Sequence, residues 1–142
     1  MSTRARVLLL FAALLPACGR GGEGPLVMAG VAAVEGHQVR LISEPSPIPL
    51  NEPFELVVEL LDSRGQPAEE VGLEVTGWMP GHGHGMLRTT EVVPIGGGIH
   101  RVRGMLFHMG GKWEIRVALS WEEQSEDYFE IKRDGIVFPV EL

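Results

Sequence analysis

From residue 37 onward, apolar and polar residues alternate with a period of two, the mark of half-buried β-strands. Val39 and Leu41 share one face of 38–42, and Phe54, Leu56, Val58 and Leu60 share one face of 54–61, the clearest strand of the chain. Trp113, Ile115, Val117, Leu119 and Trp121 alternate without a break and predict a second strong strand with both tryptophans in the core. Weaker strands are expected over 73–79, 87–93 and 99–107, and a terminal strand or hairpin over 128–140, around Arg133-Asp134-Gly135. Between them lie turn residues: alternate prolines at 45, 47 and 49, the Gly/Pro-rich run 62–67, three glycines at 96–98 and two at 110–111. The acidic run 122–127 reads as a solvated loop. No segment carries an apolar period of 3.6 residues. The expected fold is therefore all-β, a single immunoglobulin-like antiparallel β-sandwich of about seven strands, eight at most, over 37–142. Residues 26–34 are apolar but interrupted by Gly30, and fit an edge strand, a short helix or a tether equally well.

The length of 142 residues suits one domain, and 44% hydrophobic with 22% charged residues excludes wholesale disorder. The start of the chain has a different character. Arg4 and Arg6 precede an apolar run at 7–15 that is too short to span a bilayer as a helix, and Leu15-Pro16-Ala17-Cys18 follows. This resembles a bacterial lipobox, with proline at −2 as a departure. The expected organisation is a lipoprotein signal peptide over 1–17, a lipidated Cys18 with a glycine-rich tether over 18–36, and the sandwich beyond. Gly19 at +2 favours an outer-membrane destination in a Gram-negative cell; in either case the domain would face the periplasm or the cell surface. Removing the signal leaves 10 basic against 19 acidic residues, a body that repels nucleic acid. Cys18 is the sole cysteine, which excludes an internal disulfide and a cysteine-based zinc site.

The candidate chemistry lies in Trp78-Met79-Pro80-Gly81-His82-Gly83-His84-Gly85-Met86. Counting strands up and down a sandwich puts the 79–86 loop and the His108-Met109 turn at the same end, and His37 and His100 at the other, where both are expected on the surface. The donor set is then His82, His84, Met86 and His108, with Met79 and Met109 after them. Imidazole and thioether donors without clustered carboxylates select copper, and thioether favours Cu(I). His82 and His84 are two apart, so an extended backbone would project them to one side. Trp78 is expected to wall the loop. Read more plainly, Gly-His-Gly-His-Gly is a flexible turn and the methionines are core residues.

Three stretches carry a family resemblance: 49–54 (Pro-Leu-Asn-Glu-Pro-Phe), 79–86 (Met-Pro-Gly-His-Gly-His-Gly-Met) and 104–114 (Gly-Met-Leu-Phe-His-Met-Gly-Gly-Lys-Trp-Glu). Together they resemble YtkA-like domains over 37–132. These are small extracytoplasmic β-sandwiches, similar in style to FixH and CopC proteins and often lipoproteins. Gly110-Gly111 stands where a proline often precedes the tryptophan strand. The resemblance implies copper handling, with cytochrome oxidase assembly as one setting. No nucleophile elbow, phosphate loop or paired-acid constellation is present, which speaks against an enzyme. The expected function is a membrane-anchored module that buffers or delivers copper to a membrane protein or cuproprotein partner. The alternative is a metal-free accessory domain that binds a protein of a membrane or efflux complex through the same loops.

Overall fold

The computed structural model describes residues 26–142; the signal peptide expected over 1–17 and the lipidation expected at Cys18 lie outside them. Nine strands follow in order: β1 (Val27–Val31), β2 (Gln38–Glu44), β3 (Pro53–Leu61), β4 (Gly72–Met79), β5 (His84–Gly85), β6 (Glu91–Gly96), β7 (Ile99–Leu106), β8 (Lys112–Gln124) and β9 (Phe129–Glu141). They form two antiparallel sheets, ordered β1-β2-β3-β7-β6 and β5-β4-β8-β9. This is the all-β sandwich that the period-two patterning predicts.

The core is built from the inward-facing alternate residues. Leu41, Leu56, Val58 and Leu60 of one sheet and Val75, Trp113, Ile115 and Leu119 of the other are all at most 1% exposed. Burying each such side chain contributes roughly 1.5–3 kcal/mol, which is what fixes the register of the central strands. On β7 the inward positions change phase, from His100 and Val102 to Met105 and Phe107. Gly104 makes the change possible: it sits at φ 84°, and a β-carbon there would lie 2.7 Å from the Thr89 carbonyl oxygen.

Several segments depart from their sequence patterns. Residues 27–31 form an edge strand paired with β2, Val27 opposite Ile42 and Val31 opposite Gln38, so the sheet begins before residue 37. The run 122–127 is not all loop, because Glu122, Glu123 and Gln124 continue β8 opposite Ile131, Glu130 and Phe129. Of the strand and the hairpin expected over 128–140, the chain forms the strand. Asp134 and Gly135 pair straight across to Leu119 and Ala118 within one thirteen-residue strand. The Asp134 carboxylate instead accepts N–H bonds from Val34 (2.6 Å) and Gly135 (2.7 Å), tying the β1–β2 connection to β9.

His37 and His100, expected on the surface, are each only 7% exposed. His37 closes the base of the core by lying against Trp121, ring centroids 4.7 Å apart, and His100 points inward in phase with Val102. Trp121 is correspondingly half-buried rather than fully enclosed.

Candidate metal-binding end

The register fixes which connections share an end. Gly72 pairs with Ser120 and Trp78 with Glu114, so β4 climbs towards the start of β8. Pro53 pairs with Leu106, so β7 climbs towards the start of β3. The connections 80–90 and 107–111 therefore meet at one end, as the strand count expects, and His37 and Trp121 lie at the other.

The histidine loop is a structured hairpin. The Met79 carbonyl accepts the N–H groups of His82 (3.1 Å) and Gly83 (2.9 Å), Gly83 adopts φ 68°, and the chain returns with His84 opposite Met79 and Gly85 opposite Trp78. His82 and His84 are thus related by a turn, not by an extended backbone. Their rings still end as neighbours, with centroids 5.7 Å apart. His84 in turn stacks on His108 across the two loops, at 5.4 Å and an interplanar angle of 27°. A line of three imidazoles results, from exposed His82 through half-buried His84 to half-buried His108.

Trp113 is the floor of this line. It is 1% exposed, stacks on Phe107 at 4.5 Å, and meets His84 and His108 edge-on at 6.2 and 5.4 Å. Its indole N–H donates to the Met109 carbonyl at 2.8 Å, which holds the 108–111 turn in place. The sequence pattern identifies Trp113 as core but not as the residue that supports both halves of the site. The residue expected to wall the loop, Trp78, lies on the outer face of β4 under the Arg116 guanidinium, 4.8 Å from its ring centroid.

The methionines divide into three environments. Met86 is half-buried, and its sulfur accepts the Leu106 N–H at 3.4 Å, linking the two sheets. Space for it comes from Gly77, where a β-carbon would lie 2.8 Å from Met86 Cγ and 2.6 Å from Phe107 Cε1. Met79 is 2% exposed and packs in the core with its methyl against Gly111. Met109 is 36% exposed at the rim. Of the six donors, the structure brings His82, His84 and His108 side by side, and strand register puts Met86 at the same end.

One buried nitrogen at the site has no partner: His108 Nδ1 is shielded from solvent and makes no hydrogen bond. Leaving such a group unpaired costs about 1–3 kcal/mol, which a half-turn of the ring or a ligand can relieve. His84 Nδ1 lies 3.0 Å from the Gly85 carbonyl; donating there makes Nδ1 the protonated nitrogen and leaves Nε2 with a free lone pair. The imidazoles are neighbours and not a closed ligand set. Among the described residues no three His, Cys, Asp or Glu side chains are already arranged to hold a metal ion.

No curated protein and no solved structure matches the chain. A family model described as YtkA-like matches residues 32–118, from just before β2 into β8, and so includes both histidine-bearing loops and the tryptophan beneath them. That is more than half of the 142 residues, and the chain belongs to the YtkA-like family.

Proposed function

We propose that this YtkA-like domain is a non-enzymatic, membrane-anchored extracytoplasmic module that binds copper and buffers or delivers it. Membership of the family supports the accessory-domain part of the reading. The copper part rests on one observation: His84 and His108, from loops far apart in sequence, stack at 5.4 Å with His82 next in line. Neutral imidazole with thioether sulfur and no carboxylate suits Cu(I). The buried, unpartnered Nδ1 of His108 and the free Nε2 of His84 fit that chemistry. His82, His84 and His108 would supply nitrogen and Met86 sulfur. Exposed Met109 stands at the rim, and buried Met79 would need a rotamer change to take part. A bound copper ion would supply charge and redox chemistry; the protein's part is to present the three imidazoles together and keep the inner two partly shielded from water.

Titration of the purified protein with Cu(I) is expected to show one ion per chain, abolished by His82→Ala with His84→Ala. Unchanged stoichiometry in the double variant would sink the site. Because imidazole binds metal only when neutral, affinity should weaken as pH falls below ~6. A flat pH profile would leave methionines as the sole ligands. The second reading, a metal-free domain that docks a protein through these loops, is favoured by the lack of a closed ligand set and requires that no copper binds at all.

A further inference from the structure

The two ends of the sandwich differ in charge as well as in chemistry. At the histidine end, the connections 45–52, 80–90 and 107–111 carry one acid, Glu52, and one base, Arg88. At the far end, the connections 32–37, 62–71, 97–98 and 125–128 carry six acids against one base, Arg64. The far end also carries Glu122, Glu123 and Glu130, against one base, Lys132, paired to the last two, on the part of the β8–β9 hairpin that extends past the start of β4.

The histidine end has a second property. Each of its three connections exposes a large apolar residue: Leu50 is 50% exposed, Leu87 79% and Met109 36%. The chain also enters the fold there. The Leu26 N–H is held by Ser46 Oγ at 2.6 Å, and Val27 pairs with Ile42 near the upper end of β2. Only seven residues lie between Cys18 and Leu26, eight steps along the chain. Even fully extended those eight steps reach less than about 29 Å, shorter than a thirteen-residue strand at about 43 Å.

We infer that the histidine end is the membrane-facing end of the molecule, with Leu50, Leu87 and Met109 seated on the bilayer surface. The inference rests on the lipid anchor of the reading above, and not on copper. A bilayer is the occupant that the short link from Cys18 and the charge asymmetry both select. An anionic lipid surface repels the acidic end and tolerates the neutral one, so the domain stands with its acidic end outward. The far end exposes apolar residues too, Val31 (65%), Val34 (61%), Ile95 (59%), Tyr128 (60%), Phe129 (71%) and Ile131 (57%), but they do not compete for the membrane, because they share that end with its acids. An ion held by His82, His84 and His108 would then be exchanged at the lipid surface, within reach of a membrane-embedded partner.

The test uses the full chain purified from bacterial membranes and reconstituted in nanodiscs of phosphatidylcholine and phosphatidylglycerol doped with a gadolinium-chelate lipid. Mass spectrometry should find Cys18 acylated at the new N-terminus; an unmodified Cys18 would overturn the inference. The imidazole NMR signals of His82, His84 and His108 should broaden strongly while that of His37 stays sharp. Equal broadening, or stronger broadening at His37, would overturn it. The variant Leu50→Ser with Leu87→Ser alters only exposed residues and should reduce the contrast between the ends at least twofold. An unchanged contrast would refute seating through the apolar tips. Broadening that depends on protein density in the disc would assign the face to a second copy instead. Cu(I) titration of the same sample separates the two proposals, since failure to bind copper leaves the broadening pattern unaffected.

Discussion

Each end of the sandwich holds an imidazole against an indole, and the surroundings make the two pairs different in kind. His108 lies on Trp113 and His37 on Trp121, and each has a buried Nδ1 without a partner. Beside His108 are a second imidazole and, at the same end, the thioethers of Met86 and Met109. Beside His37 is the Asp134 carboxylate, occupied by backbone N–H groups. The same local motif thus joins a line of imidazoles at one end and closes the core at the other. An aromatic-packed histidine carries little functional information until its next neighbours are known.

The comparison breaks most visibly at the tryptophans. Trp113→Ala removes a fully buried ring and should cost about 3–5 kcal/mol. Trp121→Ala removes a half-buried one and should cost less than half as much, both read by urea denaturation. Equal losses would mean that the far end is as tightly packed as the site. Gly77→Ala comes next. Its β-carbon meets Phe107 and Met86, so about 1–3 kcal/mol should be lost. Gly81→Ala enters open space in the same loop and should stay within about 0.5 kcal/mol of the parent.

At the imidazoles, His108→Ala should weaken Cu(I) binding at least tenfold, about 1.4 kcal/mol, whereas His37→Ala should leave the affinity unchanged. Competition titration with a Cu(I) chelator reads both. A similar loss in the two variants would remove the distinction between the ends.

The smallest effect concerns acid. Burial pushes the Asp134 carboxyl up, but N–H bonds from Val34, Gly135 and Ala33, helped by nearby His37, outweigh it and hold the group below its ordinary value of 3.8. A carboxyl depressed in the folded state stabilises fully above its unfolded value and loses that contribution as pH falls through the folded one. The melting temperature of Asp134→Asn should therefore lie slightly below the parent at pH 7, and the gap should close below pH 3.8. A gap independent of pH would show that the bonds, and not the charge, matter.

Much of the fold was legible because burial on one face writes a period of two into β3 and β8. That same count of strands correctly united residues 82–84 with residue 108, since short antiparallel connections leave no freedom to change ends. The open choices and the errors came where local chemistry does not decide tertiary pairing. Arg133-Asp134-Gly135 leaves strand and hairpin both open, and only thirteen residues of pairing with β8 decide for the strand, in which Asp134 serves the β1–β2 connection. His37 and His100 are polar by type, and only the packing of Trp121 and the phase of β7 bury them. Trp113's hydrogen bond to Met109 is invisible in the pattern, because alternation reports which way a side chain points but not what its polar atom reaches.

The unequal pairing along β8 sets how the two ends fluctuate. From Glu114 to Ser120 the strand is hydrogen-bonded on both sides, to β4 and β9, whereas from Trp121 to Gln124 it is joined to β9 alone. Amides of the first stretch should exchange with solvent only through near-global opening, and those of the second through fraying of a two-stranded arm. The acidic arm can thus open and close on its own clock while the indole beneath the three imidazoles stays fixed.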